Sequence, residues 1–161
     1  MTIAEHRTHA DRPDHHDAQR AVDDARRDGV RRFQVVALIR PSTAREFVLL
    51  IDHRDGSWVV PTAEVQPTDT VPRALDWLCD RHVGLAEWEA AYVGSTRYRT
   101  TGDTEVLQLA FDVLVPSDGA LAWSGACQWW HPQADPPTIH RLSRPMVERL
   151  RSEQPTAAPL A

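Results

Sequence analysis

From Arg32 onward the chain falls into apolar runs whose period separates strands from helices. Arg32 to Arg40 is rich in β-branched and large apolar residues, Pro41-Ser42-Thr43 breaks it, and Glu46 to Ile51 is a second run of the same kind. Two strands joined by a short loop are predicted. Asp55-Gly56 marks a turn, after which Trp58-Val59-Val60 reads as a short strand stopped by Pro61. The period then lengthens. Val71, Ala74, Leu75, Leu78, Cys79, His82 and Val83 recur at spacings of three and four, Asp69 or Thr70 can cap the start, Pro72 sits in the first turn and Gly84 lies past the end. This pattern predicts a helix of about three turns. Trp88 to Tyr98 and Thr104 to Val115 follow as strands separated by Thr101-Gly102-Asp103, and Cys127 to Trp130 is a shorter one. Beyond Pro136-Pro137, a closing helix carries an apolar stripe of Ile139, Leu142, Met146 and Leu150.

The two ends have a different texture. Residues 1–29 are rich in His, Asp and Arg and poor in large apolar groups, so burial there does not offset the entropy of ordering. They read as a mobile arm, with a short helix from about Asp17 to Asp28 in which Ala18, Ala21, Val22 and Ala25 share a face. His6, His9, His15 and His16 resemble a metal-binding tract, although a solvated polar tail is the simpler reading. Residues 153–161 form a Pro- and Ala-rich tail, which leaves 30–152 as one folded unit. A chain of 161 residues with 42% apolar content is long enough for a single core of ordinary proportions.

Composition narrows the chemistry. The formal net charge of -5 provides no overall basic field, so nucleic acid is not an expected partner. All 18 cationic residues are Arg, which rules out lysine nucleophiles and leaves guanidinium groups suited to planar oxyanions. Cys79 and Cys127 form no C-x-x-C pair, so neither a disulfide scaffold nor a cysteine-rich zinc site is expected. No apolar run approaches the ~20 residues of a membrane span, and the first residues lack a signal-peptide core. A cytoplasmic protein without a membrane partner is the expectation.

Between Ala63 and Leu85 the spacing resembles the box of the Nudix hydrolase family, which reads G, five residues, E, seven residues, then R-E-U-x-E-E-x-G-U, with U bulky and apolar. Laid on without a gap, the box places its first Gly on Ala63, its first Glu on Asp69, its Arg on Trp77 and its next Glu on Leu78. Its last two Glu fall on Arg81 and His82, while Cys79, Gly84 and Leu85 keep the apolar and Gly positions. The resemblance covers roughly Arg31 to Arg151. It implies an α+β fold, a mixed-sheet sandwich flanked by helices.

In that family the box carboxylates hold a divalent metal against a diphosphate linkage. Magnesium needs several oxygen ligands in near-octahedral array, and here Asp69 alone of four motif positions keeps an acid. On an α-helix Leu78, Arg81 and His82 should point together at the substrate, whereas Asp76 and Asp80 should face away and pair with Arg73 and Arg81 in solvent. Thr62 and Ala63 replace a Gly pair, so a backbone needing positive φ would be strained or rebuilt.

The expected function is therefore a Nudix-like pocket that has lost magnesium-dependent hydrolysis and binds a small, anionic ligand, as a regulatory module or a repurposed enzyme. Asp69 and His82 are the candidate catalytic groups. Arg81, Trp77, Leu78, Arg97, Arg99 and Trp58 are the candidate ligand-binding residues, and no metal or other cofactor is expected. One alternative is an active hydrolase of a nucleoside-diphosphate-like substrate, with magnesium or manganese held by Asp69, His82 and an acid such as Asp118. Another is metal-independent acid or base catalysis by His82. A protein-interaction module using the 1–29 arm, and a homodimer, are compatible with the same sequence.

Overall fold

The first apolar run is a strand buried on both faces, which explains why it lacks the alternation of a half-exposed strand. The structure, a computed structural model, describes residues 13–116 and 125–153. In chain order its elements are α1 (Pro13–Arg27), β1 (Arg32–Pro41), β2 (Val48–Asp52), β3 (Trp58–Val59), β4 (Thr62–Glu64) and α2 (Val71–Asp76). A π-helical segment, Trp77–Val83, continues α2 without a break. β5 (Glu89–Arg99), β6 (Glu105–Val115), β7 (Cys127–Trp130) and α3 (Arg144–Glu153) complete the described fold.

Two sheets result. The larger has the order β4-β1-β6-β5, with β1 parallel to β6 and the outer pairs antiparallel; the smaller has the antiparallel order β3-β2-β7. Alternate residues of β1 divide between two cores. Phe33, Val35, Ala37 and Ile39 pack with α1, α2 and the π-helical segment. Val36 and Leu38 pack with Val48 and Leu50 of β2, Trp130 of β7 and Met146, Val147 and Leu150 of α3. This is the mixed α+β arrangement, two sheets with helices packed on them, that the resemblance to the Nudix box implies.

Several expectations change. Helix α1 is part of the fold, because Ala18, Val22 and Ala25 are buried against the main core; the arm reading of 1–29 fails over 13–27. Four small or β-branched residues on one face suffice when a sheet is there to receive them. His6 and His9 lie outside the described residues, as does Asp118 of the alternative acid set. Strand β4 lies just past Pro61, where the apolar pattern predicts no strand. It places Ala63 opposite Val35 in ordinary extended backbone, and among the described residues Asp103 is the one non-Gly position with positive φ. The Gly pair is thus rebuilt as strand, without strain. The closing helix starts at Arg144 rather than near Ile139, which forms a parallel bridge to Trp58.

Candidate functional site

The loop after β4 is tied to the sheet by Val65 N–H donating to the Phe33 carbonyl at 2.8 Å, and it turns at Gln66, whose carbonyl accepts from Asp69 N–H at 2.9 Å. Thr70 then caps α2: its Oγ1 accepts from Arg73 N–H at 3.3 Å, and Pro72 occupies the first turn, where a missing N–H costs nothing. The helix widens as it proceeds. Gly84 N–H reaches back five residues to the Cys79 carbonyl at 3.1 Å, and Leu85 N–H meets the same carbonyl at 2.8 Å. Gly84 itself is left-handed, with φ 81, which suits a residue without Cβ. Trp77 and His82, also five apart, stack with ring centroids 5.2 Å apart and planes 17° from parallel.

Five-residue hydrogen bonding puts more residues in each turn, so each advances by less than the ~100° of an α-helix. The core face and the groove face nevertheless keep spacings of three and four. Leu75, Leu78, Cys79 and Val83 all turn into the main core. Leu78 is fully buried, which corrects its expected place against a ligand. Asp76 and Asp80, expected to face away from the site, line it instead.

The result is a groove of about 570 Å³ beside the helix. Gln66, Thr68 and Asp69 enter from the loop, and Arg73, Asp76, Trp77, Asp80 and Arg81 from the helix. Three carboxylates and two guanidinium groups thus share one concavity. Asp69 Oδ1 accepts from Thr70 N–H at 2.9 Å and lies 3.8 Å from Arg73 Nε. Asp80 Oδ1 accepts from the indole N–H of Trp88 at 2.7 Å, a bond that anchors the helix to the residue preceding β5. Trp77 is 48% exposed, a large apolar surface with His82 stacked against it. Burial pushes the pKa of His82 below its ordinary value. Burial, with Asp80 and Asp76 adding negative potential, raises the Cys79 thiol well above its usual range, so it stays protonated.

Of the residues singled out from sequence, Asp69, Trp77 and Arg81 meet in the groove, and His82 joins them through Trp77. The others do not. Arg97 pairs with Asp28 at the end of α1, at 2.9 Å, and Arg99 pairs with Asp103 of its own hairpin at 3.3 Å. Trp58 lies in the smaller sheet and packs against the core beneath α3. A second cavity of about 570 Å³ adjoins the groove at Gln66 and is lined by Arg26, Arg31, Arg32 and Glu64.

The sequence reading missed Arg73, Asp76 and Asp80 as groove residues because it turned Leu78, on the opposite face, toward the ligand; Arg73, Asp76, Trp77, Asp80 and Arg81 recur at spacings of three and four and share one face. It also missed a buried polar row across the larger sheet. Gln34 Oε1 accepts from Gln108 Nε2 at 3.0 Å and from the Tyr98 hydroxyl at 2.9 Å, while Gln34 Nε2 donates to Glu64. The available signal was two glutamines inside otherwise apolar strands. Among the described residues, Gln108 Oε1 is the one buried side-chain polar atom without a hydrogen-bond partner.

No protein-family model matches the sequence, and no curated protein matches it. Solved structures match its fold. A MutT Nudix hydrolase from Burkholderia pseudomallei superposes with TM-score 0.57 at 17% identity, over 73% of this chain and 95% of that one. The dihydroneopterin triphosphate pyrophosphohydrolase of E. coli superposes with TM-score 0.59 at 16% identity, over 74% and 96%. The C-terminal domain of mouse MUTYH, solved in complex with human PCNA, superposes with TM-score 0.56 at 13% identity, over 81% and 94%. At these identities the likeness establishes the architecture and leaves the chemistry to the residues in the groove.

Proposed function

We propose that this chain, which carries the Nudix fold, uses the groove along α2 and its π-helical continuation to bind a small-molecule ligand and does not run magnesium-dependent diphosphate hydrolysis there. One observation carries the reading: the groove acids do not converge. Among the described residues, the one group of three or more His, Cys, Asp and Glu side chains close enough to share an ion is His53, Asp55 and His140, none of which lines the groove. A divalent cation in the groove would also meet Arg73 and Arg81. Unit charges ~4 Å apart at an effective dielectric of ~20 repel by about 4 kcal/mol, which opposes metal retention.

The same groups recognise a different ligand. Arg73 and Arg81 offer planar donors to a phosphate or carboxylate, Trp77 offers a stacking face, and the Asp76 and Asp80 carboxylates accept from hydrogen-bond donors. A planar molecule carrying both an anionic group and donors fits this set. Such binding serves a regulatory module, or a metal-independent catalyst in which His82 moves a proton.

A hydrolase with a rebuilt site is the second reading. It is favoured by Asp69, Asp76 and Asp80 lining one groove, and by the fold shared with a MutT Nudix hydrolase and a dihydroneopterin triphosphate pyrophosphohydrolase. Incubation with magnesium or manganese and a panel of nucleoside diphosphate compounds separates the two. The expected result is no release above background, together with ligand-induced thermal shifts that disappear in Arg81→Ala and Trp77→Ala. Turnover abolished by Asp80→Asn would establish the second reading instead.

A further inference from the structure

Away from the groove, the smaller sheet brings two histidines and an aspartate together from positions 87 residues apart in sequence at the extremes. The turn after β2 is closed by His53 N–H donating to the Ser57 carbonyl at 2.8 Å and by Gly56 N–H donating to the His53 carbonyl at 3.0 Å. Inside this turn Asp55 Oδ1 accepts from Ser57 N–H at 2.9 Å and from the Ser57 hydroxyl, and it lies 3.2 Å from His53 Nδ1. The Ser57 hydroxyl and amide, with His53 adding to them, hold the Asp55 carboxyl well below the usual range, so it stays ionised. Asp55 Oδ2 takes part in none of these bonds.

The third member arrives on a separate segment. Trp58 N–H donates to the Thr138 carbonyl at 2.8 Å and His140 N–H donates to the Trp58 carbonyl at 2.9 Å, so residues 138–140 run parallel to β3. This docking sets the His140 ring beside that of His53, with centroids 4.3 Å apart and planes tilted by 34°. One donor atom each from His53, Asp55 and His140 lies within 4.8 Å of the other two. The His53 and Asp55 side chains are 38% and 57% exposed, so the cluster is open to solvent on one side.

We propose that His53, Asp55 and His140 form a binding site for a late first-row divalent transition metal ion, zinc above all, which fastens the β2–β3 turn to the segment leading into α3. Two imidazoles and one carboxylate suit zinc, whose bonds to nitrogen and oxygen of ~2.1 Å place neighbouring ligands roughly 3.4 Å apart in a tetrahedral shell. Side-chain rotation at two exposed positions closes the remaining gap, and water completes the shell from the open side. His140 Nδ1 accepts from Leu142 N–H at 3.1 Å, so metal binding exchanges one backbone hydrogen bond for a metal–nitrogen bond, wherever on the ring the ion enters. The Ser57 contacts meanwhile orient the carboxylate. The ion's role is to join two chain segments that already meet.

The test uses the full chain with His6, His9, His15 and His16 replaced by Gln, since those histidines would compete for the metal. Zinc sulfate is titrated by calorimetry, and melting is followed with and without one equivalent. The expected result is one bound zinc per chain and a raised melting temperature. His53→Gln, Asp55→Asn and His140→Gln should each weaken binding at least tenfold, the loss that altered orienting partners alone already cause. His53 and Asp55 lie on a solvent-facing turn, so their variants keep the test valid if His140→Gln fails to fold. Zinc binding unchanged in these variants would overturn the proposal, as would absence of binding on the four-Gln background.

Discussion

His82 shows at the scale of one residue how burial sets chemistry. Its ring stacks on Trp77 rather than standing in water, and that burial lowers its pKa in the folded chain below the ordinary 6.5. The sign of the consequence follows from proton counting. Above about pH 6.5 the imidazole is neutral in both states and its contribution to stability is complete. As pH falls, the unfolded chain takes up the proton first, so stability declines until the lower folded value is reached. His82→Gln should therefore flatten the fall in melting temperature between pH 7.5 and 5; an unchanged slope would refute the assignment. The resemblance to the Nudix box marked His82, Asp69, Trp77 and Arg81 as site residues. It placed Leu78 beside them because the box puts a Glu at that position, and the structure buries it completely.

The box helix holds the lesson at the scale of an element. Its start was legible: Thr70 caps it, Pro72 follows, and Gly84 terminates it with φ 81. Its winding was not, because a π turn is decided by which backbone carbonyl each N–H finds, and apolar spacing of three and four does not report that choice. Leu78 turns into the core with Leu75 and Cys79, and Asp76 and Asp80 on the opposite face turn into the groove. The two ends should be measurable separately by urea denaturation. Gly84→Ala forces a Cβ into left-handed backbone and should cost about 1–2 kcal/mol. Thr70→Ala removes the cap and should cost about 1 kcal/mol. Equal midpoints for parent and both variants would contradict the described ends.

For the whole molecule, α1 decides where the domain begins. It packs on β5, β6 and α2, with Ala18, Val22 and Ala25 buried, and Arg97 of β5 pairs with Asp28 just beyond its end. Deleting residues 1–27 should therefore lower stability by about 3 kcal/mol or more, since Val22 alone loses ~1.5–3 kcal/mol of burial and the sheet face beneath is uncovered. Unchanged unfolding would return that segment to the status of an arm. The sequence by itself determined every described strand except β4, the two later helices and their order, because each rests on a local period of apolar residues that survives without knowledge of partners, and the resemblance to the Nudix box implied the α+β sandwich. Only the tertiary structure decided which residues meet. The pairing of Gln34 with Gln108 and the meeting of His53 with His140 depend on strand register and the docking of distant segments. Those are long-range contacts, and a local pattern carries no signal for them.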